Sequence, residues 1–244
     1  NPYEFAKNYI STKASSKAQA AVFAMKAEKM REIYTDVFSN LAAKYNCHVL
    51  AGSVVAKLES NNGQDHALYN ISMLFAPDGS SAKEVITKAY PIIEELGFTK
   101  AADVSEIPVF NLPIGNVAAV ICADSWYPDV YAHLAQKQAQ IMLVPSFSSP
   151  AEMWNKPWQG YNGAPTPSDV DTTDRESLSE KEAWLKYSMG GRAQNAGILY
   201  GMNIFLQGNL WDLSTGGEAI ILHNGEISLI PNKNKSLIIS LFLP

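Results

Sequence analysis

Cysteine is scarce in this chain of 244 residues: Cys47 and Cys122 are the only two, and they lie far apart. That excludes a disulfide framework and makes a reducing compartment such as the cytoplasm the simpler setting. Long apolar runs are also missing. No stretch approaches the roughly 18 residues that span a bilayer, so no membrane partner is expected. Lysines and arginines form no run that could track a phosphate backbone, and the net charge is -5, which argues against nucleic acid as a partner. No glycine-rich phosphate loop occurs. No pair of histidines or cysteines has metal-ligand spacing, so no metal site is expected.

What the chain does have is apolar substance. Hydrophobic residues make up 47% and charged residues 18%, enough for a sizeable core, and nothing marks a boundary within residues 1–244. A single domain is the expectation. Residues 16–45 carry Ile33, Val37 and Leu41 at four-residue spacing, with Tyr34, Phe38 and Ala42 beside them. This pattern predicts a long helix with a broad core-facing side.

Short runs of strand character follow at residues 49–55, 69–76 and 84–87, and the Pro77-Asp78-Gly79 turn predicts a hairpin from the last two. Residues 117–121 read as a strand buried on both faces. A helix is predicted over 127–138 and a strand over 139–145. Residues 146–179 lack periodicity and include four prolines, Trp154 and Trp158, and an acidic cluster of Asp169, Asp171 and Asp174. Such a length reads as a functional loop, its tryptophans either covering a ligand or anchoring the loop. A helix over 179–195 and strands over 198–207, 218–223 and 236–242 complete a layered α/β pattern.

Cys122 ends the buried strand. A strand running into a cysteine and then a helix presents the thiol at a sharp turn, where the N–H of Ala123 can face a developing oxyanion. An ordinary thiol, with pKa near 8.5, needs an activator at neutral pH. The histidines are His48, His66, His133 and His223. His133 follows the cysteine in the predicted helix and His223 ends a strand, so a Cys–His hydrolase is one reading. An inert buried thiol is another.

The segment GNVAAVICADSWYPD, residues 115–129, resembles the cysteine motif of the nitrilase superfamily, the carbon–nitrogen hydrolases, with Asp129 where that family has Glu. Further segments resemble the family in order: Ala51-Gly52-Ser53, Tyr69-Asn70, Pro77-Asp78-Gly79, the strand leading to Lys88, residues 141–146, Gly191-Arg192 through Asn195, then Asn203, Gly208 and Gly216-Gly217. Glu218 stands where a Ser is usual. The resemblance spans about residues 30–230.

The resemblance implies a four-layer αββα sandwich, lacking its first strands and helix here, that pairs into homodimers or larger homo-oligomers. It implies hydrolysis of an amide-type C–N bond in a small molecule through a thioester, with no cofactor. Lys88 matches the lysine of the family's Glu–Lys–Cys triad, where its ammonium would favour the thiolate and stabilise the oxyanion with the Ala123 N–H. Such a donor is worth about 3 kcal/mol in the transition state. Glu95 matches the accessory glutamate, with Glu94 as the alternative. Asp124 resembles the amidase and carbamoylase branches more than the nitrilases. Ala123, Trp126, Ser146 and Phe147 are the expected substrate-binding residues.

The triad's first Glu, the general base, has no counterpart that ends a buried strand. Glu4 is the one candidate near the start, and Asn1-Pro2-Tyr3 resembles the loop after the family's catalytic Glu. The base is therefore expected upstream of Asn1, and residues 1–244 alone are expected not to turn over amides. A catalytically silent binding or assembly module is the alternative function.

Overall fold

The computed structural model describes residues 1–12, 14–58, 67–210, 213–231 and 237–243. The fold is mixed α/β, in two compact units: residues 1–106 with 162–164, and residues 107–161 with 165–244.

The first unit opens with helix α1 (Pro2–Ser11), started by the Asn1 side chain accepting the Tyr3 N–H and by Pro2 in the first turn. Glu4 is exposed on it. Helix α2 (Lys17–Tyr45) ends where Asn46 turns left-handed, with Lys44 in the last turn. The expected helix is present, but its inward face is rotated. Tyr34 and Ala42 are buried with Phe38 packed beside them, whereas Ile33 keeps 52% of its surface and Val37 47%. The neighbouring stripe wins because its rings bury more area and the Tyr34 hydroxyl finds partners among the strands.

Those partners explain a second departure. The runs at 49–55 and 69–76 are each broken in two: β1 (Val49–Leu50) and β2 (Val54–Lys57), then β3 (Leu68–Ser72) and β4 (Leu74–Phe75). At the break the Tyr34 hydroxyl donates to Gly52 O at 2.8 Å and accepts the Met73 N–H at 3.1 Å. Ser72 Oγ donates to Ala51 O at 2.6 Å. Side-chain hydroxyls thus replace ladder bonds, and burial pushes the Tyr34 phenol up to about 12. Tyr34→Phe leaves two backbone groups unpaired and is expected to cost about 1–3 kcal/mol in denaturant unfolding.

Strand β5 (Ile86–Thr87) pairs antiparallel with β3, Ile71 opposite Thr87, and Asp78 braces the intervening turn by accepting the Ser80 N–H. The predicted hairpin is present, with β2-β3-β5 as one small sheet and β1-β4 as another. The short helix α3 (Ile93–Leu96) follows.

The second unit is built on a six-stranded sheet, from β6 (Val109–Leu112), β7 (Gly115–Ala119), helix α4 (Pro128–Gln136), β8 (Ile141–Ser146), helices α5 (Glu180–Tyr187) and α6 (Met189–Arg192), β9 (Tyr200–Phe205), the short pair β10 (Asn209–Leu210) and β11 (Leu213–Ser214), β12 (Ala219–His223) and β13 (Glu226–Ile230). The sheet order is β13-β12-β9-β8-β7-β6. Its central strands β7, β8 and β9 run parallel, with helices as the crossovers that parallel neighbours require. Val117 through Ile121 are almost fully buried, as a central strand demands.

Three differences from the sequence reading stand out here. Strand β6 was not foreseen. The helix expected over 179–195 breaks at Ser188, and a side chain on Gly191 would fall 1.9 Å from Lys186 O, so the backbones approach at the break too closely for any residue but glycine. The strand expected over 236–242 is not formed by described residues 237–243, and Ser236 lies outside the described set. The edge is occupied instead by β13, which returns from β12 through Asn224-Gly225, both at positive φ.

Candidate active site

Strand β7 ends in a tight turn, Cys122–Trp126. Cys122 itself has φ +51°, a left-handed conformation that costs a non-glycine residue about 1–2 kcal/mol. The surroundings hold it there. Asp124, fully buried, accepts the Ile121 N–H at 3.0 Å. Ser125 Oγ donates to Cys122 O at 2.7 Å, and the buried Tyr131 hydroxyl in turn donates to Ser125 O at 2.5 Å. The Cys-x-Asp spacing thus has a mechanical reason: the carboxylate clamps the chain on the strand side of the thiol. Strain fixed by such over-determination is characteristic of reactive positions. The Ala123 N–H sits in the first turn, where intrahelical partners are lacking.

Cys122 Sγ lies 3.8 Å from Phe147 O, just past the end of the parallel neighbour β8. The thiol therefore sits at the carboxyl ends of adjacent parallel strands, the usual location of ligand sites in such sheets. Ser146 is buried and donates to Asn203 Oδ1 at 2.7 Å. Trp126 is buried in an aromatic cluster, stacked on Trp158 and edge-on to Tyr161 and Trp184. Trp154 packs on Phe205. Both loop tryptophans are thus anchors within this unit.

The acidic cluster does the same work. Asp169 grips the Arg192 guanidinium, whose hydrogen bonds hold the Asp169 carboxyl below its usual range, and Asp174 binds Lys186 and Tyr187. His133 Nε2 is engaged with Ile107 O and His223 Nε2 with Phe242 O, so neither hydrogen-bonds Cys122. His66 lies outside the described residues. Among the described residues no group of three His, Cys, Asp or Glu side chains gathers as a metal site would.

At the start of α5, burial pushes Glu180 up to about 7, with only partial relief from the Trp184 Nε1–H bond. A raised carboxyl favours the fold while protonated. Its contribution is full below about pH 4.5 and is lost as pH rises to about 7. Glu180→Gln is expected to flatten the stability–pH curve across that window and to gain on the order of 1–3 kcal/mol at pH 8, read by urea unfolding.

Lys88 and Glu95 belong to the first unit. Lys88 directly follows β5, with its backbone pinned on both sides: its N–H donates to Asn70 O at 2.9 Å and its carbonyl accepts from Ala102 N at 3.0 Å. The side chain is only 3% exposed, and its Nζ meets Glu95 Oε2 at 2.5 Å. Glu95 also accepts from Asn70 Nδ2 at 2.7 Å and from Ile92 N at 2.9 Å. Glu94 turns instead to Asn162 Nδ2 at 3.0 Å. Of the two glutamates, Glu95 is the one paired with the lysine.

The family model described as carbon-nitrogen hydrolase matches residues 17–162, more than half of the chain. The chain belongs to the carbon-nitrogen hydrolase family. It is 31% identical over 114 residues to a "Probable hydrolase YhcX" of Bacillus subtilis (strain 168), covering 47% of this chain and 21% of that protein. The fold matches a carbon-nitrogen hydrolase from Helicobacter pylori G27 with TM-score 0.60 and 21% identity, over 84% of this chain and 64% of that one. It also matches a mutant amidase from Nesterenkonia sp. AN1, with TM-score 0.59 and 14% identity, over 88% of this chain and 66% of that one. That crystal structure is described as showing covalent addition of the acetamide moiety of fluoroacetamide at the active-site cysteine. The chain thus spans less than two-thirds of the length of these family members. No helix of the described residues is long and apolar enough to cross a membrane.

Two features escaped the sequence reading. In the sequence Asp124 marks a branch of the family, and only the structure shows it as a brace. Asn70 belongs to the Tyr69-Asn70 motif, and an amide in a largely buried strand is itself a signal.

Proposed function

We propose that the protein hydrolyses a non-peptide C–N bond of a small amide or carbamoyl compound, with Cys122 as nucleophile and a thioester as intermediate. The observation that carries this reading is the left-handed, clamped Cys122 at the end of a buried parallel strand in a carbon-nitrogen hydrolase chain. The S–C bond forms on the substrate carbonyl, the C–N bond breaks, and ammonia or an amine leaves with the proton taken from the thiol. Water then attacks the thioester, releasing the acid and restoring the thiol.

The Lys88 ammonium is assigned to the negative charge on sulfur and on the tetrahedral oxygen, with the Ala123 N–H as second donor. Glu95 pairs with that ammonium and aims it. Ser146 and Phe147 line the substrate side of the thiol, and Trp126 backs the turn from its aromatic cluster. A carboxylate general base completes the cycle. Glu4, exposed on α1, is not assigned that role. Two or more copies are assigned to the working assembly, on the analogy of the family.

The test uses the full-length gene product and a panel of primary amides and ureido compounds. Equimolar release of ammonia and carboxylic acid from at least one amide is the expected result. A panel that yields no ammonia from freshly reduced, folded protein overturns the reading in favour of a catalytically silent binding module.

A further inference from the structure

We propose that Asn70 is a positioning residue for this reaction, fixing Glu95 so that the Lys88 ammonium has a single orientation. The inference rests on the function proposed above. Three contacts close a ring. Asn70 O accepts the Lys88 N–H at 2.9 Å. Lys88 Nζ meets Glu95 Oε2 at 2.5 Å, and Asn70 Nδ2 donates to Glu95 Oε1 at 2.7 Å. One residue therefore grips the lysine at its backbone and, through Glu95, at its charged end.

The carboxylate's two oxygens have separate duties. Oε2 takes the ammonium and the Ile92 N–H, while Oε1 takes the Asn70 amide. The terminal torsion of a glutamate is broad and two-fold, so without a donor on Oε1 the carboxylate can rotate. Its contact with the Lys88 ammonium would then shift as well.

The position is costly, which argues that it serves more than packing. Asn70 is buried on β3 between Tyr69 and Ile71, and its Oδ1 accepts no hydrogen bond among the described residues. The orientation is set by chemistry, since a carboxylate accepts only from the amide nitrogen. An apolar residue of the same size would avoid burying an unpaired carbonyl.

The experiment compares full-length wild type with Asn70→Leu, which keeps the branched shape at a larger volume and removes the donor, and with Asn70→Ser, which is smaller and leaves room for water if the leucine variant fails to fold. Steady-state kinetics on an amide substrate is one readout. The Lys88 ammonium signal in 15N-lysine-labelled protein, assigned by its loss in Lys88→Arg, is the other. In both Asn70 variants kcat is expected to fall about 10- to 100-fold, as for a misplacement of order 1 Å, with KM changed less than about 3-fold. The Lys88 ammonium signal, sharp in wild type, is expected to be lost to exchange with water.

A variant that keeps the Lys88 signal, or loses kcat only in step with its folded fraction, overturns the proposal. If the wild type itself turns over no amide, the proposed function fails while the ammonium signal still decides the role of Asn70.

Discussion

Cys122→Ala is expected to abolish amide turnover in the full-length protein, with kcat down about 10^4- to 10^6-fold, because the thiol that forms the acyl intermediate is removed. Stability should barely change. Alanine suffers at φ +51° much as cysteine does, and the Asp124, Ser125 and Tyr131 bonds to the backbone remain. Cys122→Gly provides the complementary case. It is equally inactive, yet relief of the left-handed strain should leave it as stable as wild type or about 1 kcal/mol more so. Ammonia release together with urea unfolding checks both. An active Cys122→Ala protein, or one inactive only because it is unfolded, contradicts the assignment.

Lys88→Met carries the second large effect. The substitution keeps most of the apolar stem and deletes a charge that is 3% exposed and held 2.5 Å from Glu95. Losing one electrostatic donor at the tetrahedral intermediate is expected to lower kcat about 10^2- to 10^3-fold. Stability should fall as well, by about 3–5 kcal/mol if Glu95 is left charged in the interior, because breaking one side of a buried pair strands the other. The remaining bonds from Asn70 and Ile92 reduce that cost. Lys88→Met/Glu95→Gln removes the stranded charge and should recover stability while activity stays low. Recovery of both would mean that the pair is only structural.

How much of this was legible in the sequence depends on the kind of signal. The turn at Cys122 was readable because a continuous apolar run up to a cysteine leaves few alternatives for a buried strand. The order of motifs then pointed to Lys88 and favoured Glu95 over Glu94. Helix α2 was also readable, but its buried stripe was not. Ile33, Val37 and Leu41 recur with the same period as Tyr34, Phe38 and Ala42, and periodicity alone cannot choose between adjacent stripes. The choice was made by a hydrogen bond, Tyr34 to Gly52 O, between residues 18 apart.

The broken strands have the same cause. Long-range hydroxyl bonds interrupt the ladders at Gly52 and Met73, and no local propensity marks them. Strand β13 is different. Asn224-Gly225 is a strong hairpin signal, and the alternation that follows is short and exposed, so the more apolar stretch near the C-terminus drew the prediction instead. The brace at Asp124 and the ring through Asn70 lay beyond sequence reasoning. Both depend on which polar atoms meet once the chain has folded.

The most direct test of Cys122 as the nucleophile is to quench the full-length protein during turnover of an amide and map the adduct by mass spectrometry. The account predicts a hydroxylamine-sensitive acyl group, with the mass of the substrate less its amine, on the peptide that carries Cys122 and on no other. Turnover accompanied by an adduct at a different residue, or by an unmodified Cys122 when the thioester's hydrolysis is made rate-limiting, would contradict it.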